Sequence, residues 1–336
     1  MTLVAITGAS GLLGGNLIQA LRNDGVDVRA LYRSEASIAH LRDLPAMAGT
    51  RWVKADLDDE AALARAFDGA DGVFHVAAAV SILSKVTPGL TSANVDGTRR
   101  VIDAVRRARV RRLVHTSSTV TIGLADAGGA DATEDSPWNF AELGLNDGYC
   151  TTKKQAEELV LGALAATDLD AVIVNPGYLF GPLDVKPSSG KLILDTALGK
   201  VPGVTPGVNS FSDVRDVARG LVAAWQRGVR GERYILGGHN LPYTTVLPLI
   251  AARAGVRPPR FQVPRVVAAA VGAVGDLQMR LTGREPLLTS AAVRWAFCDR
   301  FRVSSAKATT TLGYTISPLE GAIDAALDWF RSSGRL

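Results

Sequence analysis

The sequence predicts an α/β protein built on a doubly wound parallel sheet, with a smaller, mostly helical lobe towards the C-terminus. Three observations predict it. Short β-branched runs alternate with helical patterns through the first half of the chain. The first run ends in a glycine-rich turn that opens a helix, and after residue 176 the alternation gives way to prolines, glycines and helices. Brief apolar runs separated by helices read as βαβ units with strands buried on both faces.

In order, strands are expected at 3–7, 26–32, 52–55, 72–76, 113–117 and 171–175. Helices fall between them at 12–22, 35–42, 60–67, 92–108 and 149–166. Right-handed crossovers then give a Rossmann-type core. Beyond it, helices are expected at 214–227, 244–254, 266–281 and 289–297, with one further strand at 233–236. The last helix should start with Ser317 as N-cap, Pro318 at the first position and Glu320 at the third, a favourable N-terminal signature. The expected division is a dinucleotide-binding domain over 1–176, completed by 208–237, and a substrate-binding lobe from 177–207 and 238–336.

A chain of 336 residues, 47% hydrophobic and 21% charged, is an ordinary soluble α/β composition. The net charge is +4, but its one basic cluster (Arg106, Arg107, Arg109, Arg111, Arg112) falls where a helix should end. Cations suit that position, so no nucleic-acid partner is expected. Two cysteines, Cys150 and Cys298, exclude a disulfide framework and point to a reducing compartment. The apolar run 266–274, bounded by Arg265 and Asp276, falls well short of the roughly 20 residues a membrane span needs. With a strand opening the sequence and no signal peptide, the expectation is a soluble, cytoplasmic protein. His40, His75, His115 and His239 lack metal-ligand spacing among themselves or with the cysteines, so they read as structural and no metal is expected.

The turn Gly8-Ala9-Ser10-Gly11-Leu12-Leu13-Gly14 has a mechanism. The first glycine permits the tight turn, the second lets a pyrophosphate approach the backbone, and the third lets helix and sheet pack closely. The helix start then offers free N–H groups to phosphates, so a dinucleotide is the expected cofactor. An acid near the end of the second strand would take a ribose 2′-hydroxyl, whereas an arginine suits a 2′-phosphate. Arg33 stands there, which favours NADP(H); NAD is the alternative, with Glu35 on the ribose. Asp56, followed by Leu57, is placed for the adenine amino group, and Ala77, Ala78 and Ala79 would let backbone lie against the cofactor; helix capping and core packing are the bland readings of these positions.

Tyr149 and Lys153 lie at i and i+4 on one helix face. A lysine beside a phenol favours the phenolate and lowers the tyrosine pKa, giving a proton donor and acceptor. Upstream, Ser117 and Ser118 bring hydroxyls to the carboxyl edge of the sheet, where doubly wound proteins bind ligands. Cys150 reads as a packing residue.

The segments TGASGLLG at 7–14, FHVAA at 74–78, NVDGT at 94–98, HTSS at 115–118, YCTTK at 149–153 and NPGYLFGP at 175–182 together resemble the extended short-chain dehydrogenase/reductases, the NAD-dependent epimerase/dehydratase family. SDVRDVA at 212–218, and LGY at 312–314 with PLEGAI at 318–323, extend the likeness almost end to end. It is strongest for the dihydroflavonol-reductase-like branch, which includes hopanoid-associated sugar epimerases and is similar over DVKPSSGK at 184–191. The resemblance implies a Ser-Tyr-Lys site. Tyr149 would be the general acid/base, Lys153 would hold the nicotinamide ribose, and Ser118, with Ser117 as fallback, would hydrogen-bond the substrate oxygen. Pro176, Gly177 and Leu179 would pack on the nicotinamide, Asn94 would be structural support, and the helices at 92–108 and 149–166 would form a homodimer.

Three functions compete: reduction of a fairly apolar, ring-containing ketone or aldehyde with NADPH, epimerisation or dehydration of a nucleotide sugar over transiently used NAD(P), and a non-catalytic redox sensor. The sensor fits worst, because Ser118, Tyr149 and Lys153 are all present. Sugar-nucleotide enzymes of the family carry an arginine where Asn209 and Ser210 stand here, although Arg215 lies nearby; asparagine is a poor substitute for a bidentate phosphate clamp. Gly123 stands where plant dihydroflavonol reductases have an asparagine against the substrate ring. Trp138, Phe140, Phe211 and Trp295 could wall an apolar pocket or form core. The substrate is a small molecule that the sequence does not specify.

Overall fold

Leu3–Thr7 (β1), an apolar and almost wholly buried run, is the third strand of a seven-stranded sheet of order β3-β2-β1-β4-β5-β6-β9 in a computed structural model describing residues 2–80, 85–283 and 288–336. Its partners are Asp27–Tyr32 (β2), Arg51–Lys54 (β3), Gly72–His75 (β4), Arg112–Thr116 (β5), Ala171–Pro176 (β6) and Arg233–Leu236 (β9), every pairing parallel. The order reverses between β1 and β4, whose following connections run to opposite faces of the sheet, and a doubly wound sheet leaves its crevice there.

Both faces of this sheet are covered. Leu12–Asn23 (α1) and Val214–Arg227 (α7) pack together over one face, burying Leu17, Ile18, Val217, Leu221 and Trp225. Glu60–Phe67 (α2), Gly97–Arg107 (α4) and Gly148–Ala166 (α5) cover the other, where Phe67, Val101, Val105 and Val160 join the second core. Pro88–Leu90 (α3) leads into a π-helical turn, Thr91–Asp96, which opens the predicted 92–108 helix. Residues 35–42 do not form the expected helix. A short 3₁₀ turn, Glu35–Ser37, and further turns replace it, because Ile38 and Leu41 are buried at i, i+3 spacing and Pro45 cuts the run.

Three strands went unread in the sequence: Tyr178–Phe180 (β7), Val208–Asp213 (β8) and His239–Pro242 (β10), which form a small sheet of order β10-β8-β7. Of the stretch 208–237, β8 thus lies in the small sheet, while α7 and β9 belong to the large one. Lys191–Ala197 (α6), Tyr243–Ala254 (α8) and Leu319–Ser332 (α12) pack about the small sheet, Arg265–Thr282 (α9) and Ser290–Ala296 (α10) pack on each other, and Ala306–Leu312 (α11) packs on α7 and β9 of the large sheet. Phe180, Phe211, Ile250, Ile323 and Phe330 make the core of this part. Residues 284–287, between the helices expected at 266–281 and 289–297, lie outside the described residues. The last helix starts one residue late, with Pro318 as N-cap. Ser317 is occupied elsewhere: its backbone N–H and its hydroxyl both donate to the Asp216 carboxylate, at 2.7 and 2.9 Å.

Candidate active site

A cleft of about 690 Å³ opens at the switch point. Its floor is the glycine turn, whose three glycines answer to different neighbours. Gly8 has φ +71°, and a Cβ there would sit 2.5 Å from the Ala77 nitrogen. A Cβ on Gly14 would lie 2.2 Å from the Gly8 carbonyl oxygen. At exposed Gly11 the nearest protein atom would be 3.4 Å away. Gly8 and Gly14 are therefore demanded by the protein's own packing, whereas Gly11 leaves open space over the helix start. Gly11 is the N-cap of α1 and offers no side chain to the first-turn N–H groups. This is the geometry that receives a phosphate, so the turn fits a dinucleotide.

The strand ends supply the walls. Arg33, after β2, is exposed, lines the cleft and has no ion-pair partner among the described residues. Glu35, the other candidate at this edge, lies outside the cleft lining; it accepts from the Tyr32 hydroxyl at 2.5 Å and pairs with Arg42 at 2.8 Å. Asp56 and Leu57 line the cleft after β3, and the cap of α2 is Asp59, which accepts from the Ala62 N–H at 2.9 Å. Asp56 is thus released from capping. Ala77, Ala78 and Ala79 follow β4, and Asn94 clamps the last of them, accepting from its N–H at 2.7 Å and donating to its carbonyl at 3.0 Å. Pro176, Gly177 and Leu179 line the far side, as do Ser10, Leu12 and Leu13 on the turn.

Across the cleft, Asp147 caps α5 by accepting the Cys150 N–H at 2.9 Å, and its second oxygen takes the Trp295 indole N–H at 2.8 Å. That cap starts the helix so that Tyr149 and Lys153 face the cleft. Ser118 also lines it, near enough to the Tyr149 phenol to ease its ionisation, and its Oγ accepts from the Val120 N–H at 3.3 Å. Ser117 lines the cleft as well, with its Oγ 3.2 Å from Thr121 Oγ1 in a buried network. Thr121 donates to Glu157 at 2.6 Å, Asn175 donates to Glu157 at 2.9 Å, and Arg233 pairs with it at 3.2 Å. Fully buried Glu157, one turn beyond Lys153, therefore braces the segment carrying Ser118. Sequence reading missed it. The available signal was an acid on the buried face of an otherwise apolar helix stretch.

The electrostatics depart from expectation at one point. Lys153 does not pull the Tyr149 pKa down. Burial pushes the phenol up to about 12, opposed by the neighbouring Ser118 hydroxyl, although Tyr149 as a residue stays partly exposed. The Lys153 ammonium instead donates to the Thr116 carbonyl at 2.8 Å. Burial brings it down to about 8, against the pull of Glu157 in the other direction.

Of the histidines, His75 is held between Thr7 (2.8 Å) and Thr98 (3.0 Å), and burial drives its pKa down to about 3. His239 bonds the Ser317 carbonyl at 2.9 Å. His115 departs from the expected satisfied histidine: it is buried 5.4 Å from the His75 ring, and neither of its nitrogens has a partner among the described residues. Phe140 and Phe211 are core. Trp138 and Trp295 are partly exposed beside Tyr149 in one aromatic cluster, with Trp295 stacked edge-on to Phe301 at 5.1 Å. Lys186, Ser188 and Ser189 also line the cleft, on a loop tied down where buried Asp184 accepts from the Ser188 and Gly190 N–H groups at 3.0 and 2.9 Å. The sequence reading gave these residues no site role.

Residues 4–237 match the NAD dependent epimerase/dehydratase family. The chain is 35% identical to a putative dihydroflavonol 4-reductase of Synechocystis sp., covering 98% of this chain and 94% of that one. It is 32% identical to sterol demethylase protein B of Methylococcus capsulatus, over 98% and 99% of the two chains. Among solved structures it is similar to a nucleoside-diphosphate-sugar epimerase from Pseudomonas aeruginosa, with TM-score 0.81 and 26% identity over 100% of this chain and 99% of that one. With a seven-stranded doubly wound sheet and a phosphate-receiving turn at its switch point, the chain belongs to the NAD-dependent epimerase/dehydratase family of extended short-chain dehydrogenase/reductases and is an NAD(P)-dependent enzyme of that type.

Proposed function

We propose that the protein is an NADP(H)-dependent reductase that delivers hydride to the carbonyl of a fairly apolar, ring-containing ketone or aldehyde. The observation that carries this reading is that Ser118, Tyr149 and Lys153 line the same cleft as the glycine turn. A bound reduced nicotinamide supplies the hydride. As the carbonyl oxygen gains negative charge, Tyr149 gives it the phenolic proton and Ser118 donates a second hydrogen bond. A phenol held near pKa 12 by burial keeps its proton at neutral pH, which suits a donor in the reducing direction. Lys153 holds the ribose hydroxyls, and Pro176, Gly177 and Leu179 support the ring. Arg33, unpaired at the edge of the second strand, supports a 2′-phosphate and hence NADP(H).

A nucleotide-sugar epimerase is the second reading, favoured by the likeness to the Pseudomonas aeruginosa epimerase. Against it, Asn209 and Ser210 are buried in β8, and Arg215 is committed to Asp213 at 2.6 Å and to the Gly321 carbonyl at 3.0 Å. No cation takes up the substrate-phosphate role there among the described residues. Gly123 argues against a flavonoid ring contact, because a side chain would begin 2.2 Å from the Pro137 carbonyl oxygen.

The test is NADPH consumption by the purified protein against aromatic, steroid and aliphatic carbonyls and, separately, nucleotide sugars. The reductase reading expects steady loss with a carbonyl, reduced by about a thousandfold in Tyr149→Phe. A nucleotide sugar isomerised with no net consumption would replace it by the epimerase.

A further inference from the structure

Helix α9 buries Ala268, Gly272 and Gly275, small residues that seat it on α10. A Cβ on Gly272 would come within 3.1 Å of Ser290 at the start of that helix. On the opposite face, Val266, Ala270, Val274, Leu277 and Leu281 follow one another at helical spacing. All five are exposed, Val266 by 80%, Val274 by 66% and Leu281 by 77%. No charge interrupts the helix between Arg265 and Asp276. A helix apolar on both faces belongs inside something.

Exposed arginines before the helix and near its two ends point to what that something is. Arg257, Arg260 and Arg265 lead into the helix and Arg280 lies near its end, all exposed, none with an ion-pair partner among the described residues. Asp276, the acid of the helix, is turned to the Ser290 N–H at 3.2 Å. A second copy packing through this face would bring Arg265 and Arg280, or each with its own equivalent, together across the seam. An anionic bilayer supplies the apolar phase and the opposite charge at once.

We propose that α9 docks the protein on the anionic surface of a lipid bilayer, its outward face lying among headgroups and acyl-chain ends in the plane of the interface. No described helix is long and apolar enough to cross a membrane, so the contact is with one leaflet. The docked helix packs on α10, which carries Trp295 into the aromatic cluster beside Tyr149. The cleft therefore stands one helix away from the lipid. This inference does not depend on the reaction proposed above.

The test mixes the full chain with sedimentable vesicles of phosphatidylcholine alone, or with phosphatidylglycerol added, at low and high salt. Docking expects pelleting with the phosphatidylglycerol vesicles and release by salt. Val274→Glu with Leu277→Glu should lower partitioning by about tenfold or more with melting unchanged. Arg265→Glu with Arg280→Glu, each site worth roughly fivefold near an anionic surface, should lower it without touching the apolar face. Failure to pellet, or pelleting that both variants retain, overturns the proposal. So does a concentration-dependent dimer that ignores vesicles and dissociates in the glutamate variant, which would assign the face to a second copy.

Discussion

Arg33 and Glu35 stand two residues apart at the edge of the second strand, and their surroundings separate them. Glu35 is spent on Tyr32 and Arg42, while Arg33 lines the cleft with no ion-pair partner among the described residues. Arg33→Asp should therefore raise the KM for NADPH by about tenfold or more and leave that for NADH equal or lower, since one charge-assisted phosphate contact is worth that much. Equal effects on the two cofactors would remove Arg33 from the 2′-phosphate. Lys153 makes a different kind of prediction. Its ordinary pKa of 10.5 falls to about 8 in the folded chain because its ammonium is buried. Between those two values the unfolded chain holds the proton that the folded chain has released, so stability rises with pH through that window, and the gain is lost as pH falls through about 8. Urea midpoints at about pH 7 and about pH 9.5 should show this rise in the native protein and a smaller one in Lys153→Met. An identical pH dependence in both would show that Lys153 is not buried as charged.

At the scale of elements, α5 does more than present Tyr149 and Lys153. It also carries Glu157, which joins the segment carrying Ser118, β6 through Asn175 and β9 through Arg233. Glu157→Leu leaves Arg233 unpaired and should cost about 3 kcal/mol in chemical unfolding, with kcat falling more than KM rises because Ser118 loses its brace. A variant with native stability and native kcat would show that the network is decorative. The glycine turn and the Tyr149–Lys153 spacing were legible because each is local: a φ of +71° at Gly8 and an i, i+4 pair need no distant residue to specify them. Glu157 was not, because its partners lie as far away as Arg233. Strand β8 was missed for a related reason. Val208–Asp213 is mostly buried yet carries Asn209, Ser210 and Ser212, whose polar atoms are satisfied by Tyr243, Gly238 and Leu236. Such a strand has no apolar alternation to read. The 35–42 turn failed as a helix because Glu35 is drawn to Tyr32 and Arg42 and the chain meets Pro45.

For the whole molecule, the order β3-β2-β1-β4-β5-β6-β9 opens the crevice between β1 and β4, and the small β10-β8-β7 sheet grows from the end of β6. Gly177, in the short link between β6 and β7, sits so near the Ser210 carbonyl that a Cβ would lie 2.4 Å from it. The cleft is thus closed on its far side by the junction of the two sheets, and on its outer side by the Asp184-tethered loop that carries Lys186. Net reduction and transient oxidation would use the same cleft and the same Tyr149, so the fold alone does not separate them. The fate of the transferred hydrogen does. The decisive measurement supplies NADPH deuterated at the transferred position together with a reducible carbonyl, and follows the label by mass spectrometry. NADP(H)-dependent reduction predicts one deuterium on the product alcohol carbon for each NADPH consumed, at a rate about a thousandfold lower in Tyr149→Phe. Label that stays on the cofactor while a nucleotide sugar is isomerised would contradict it.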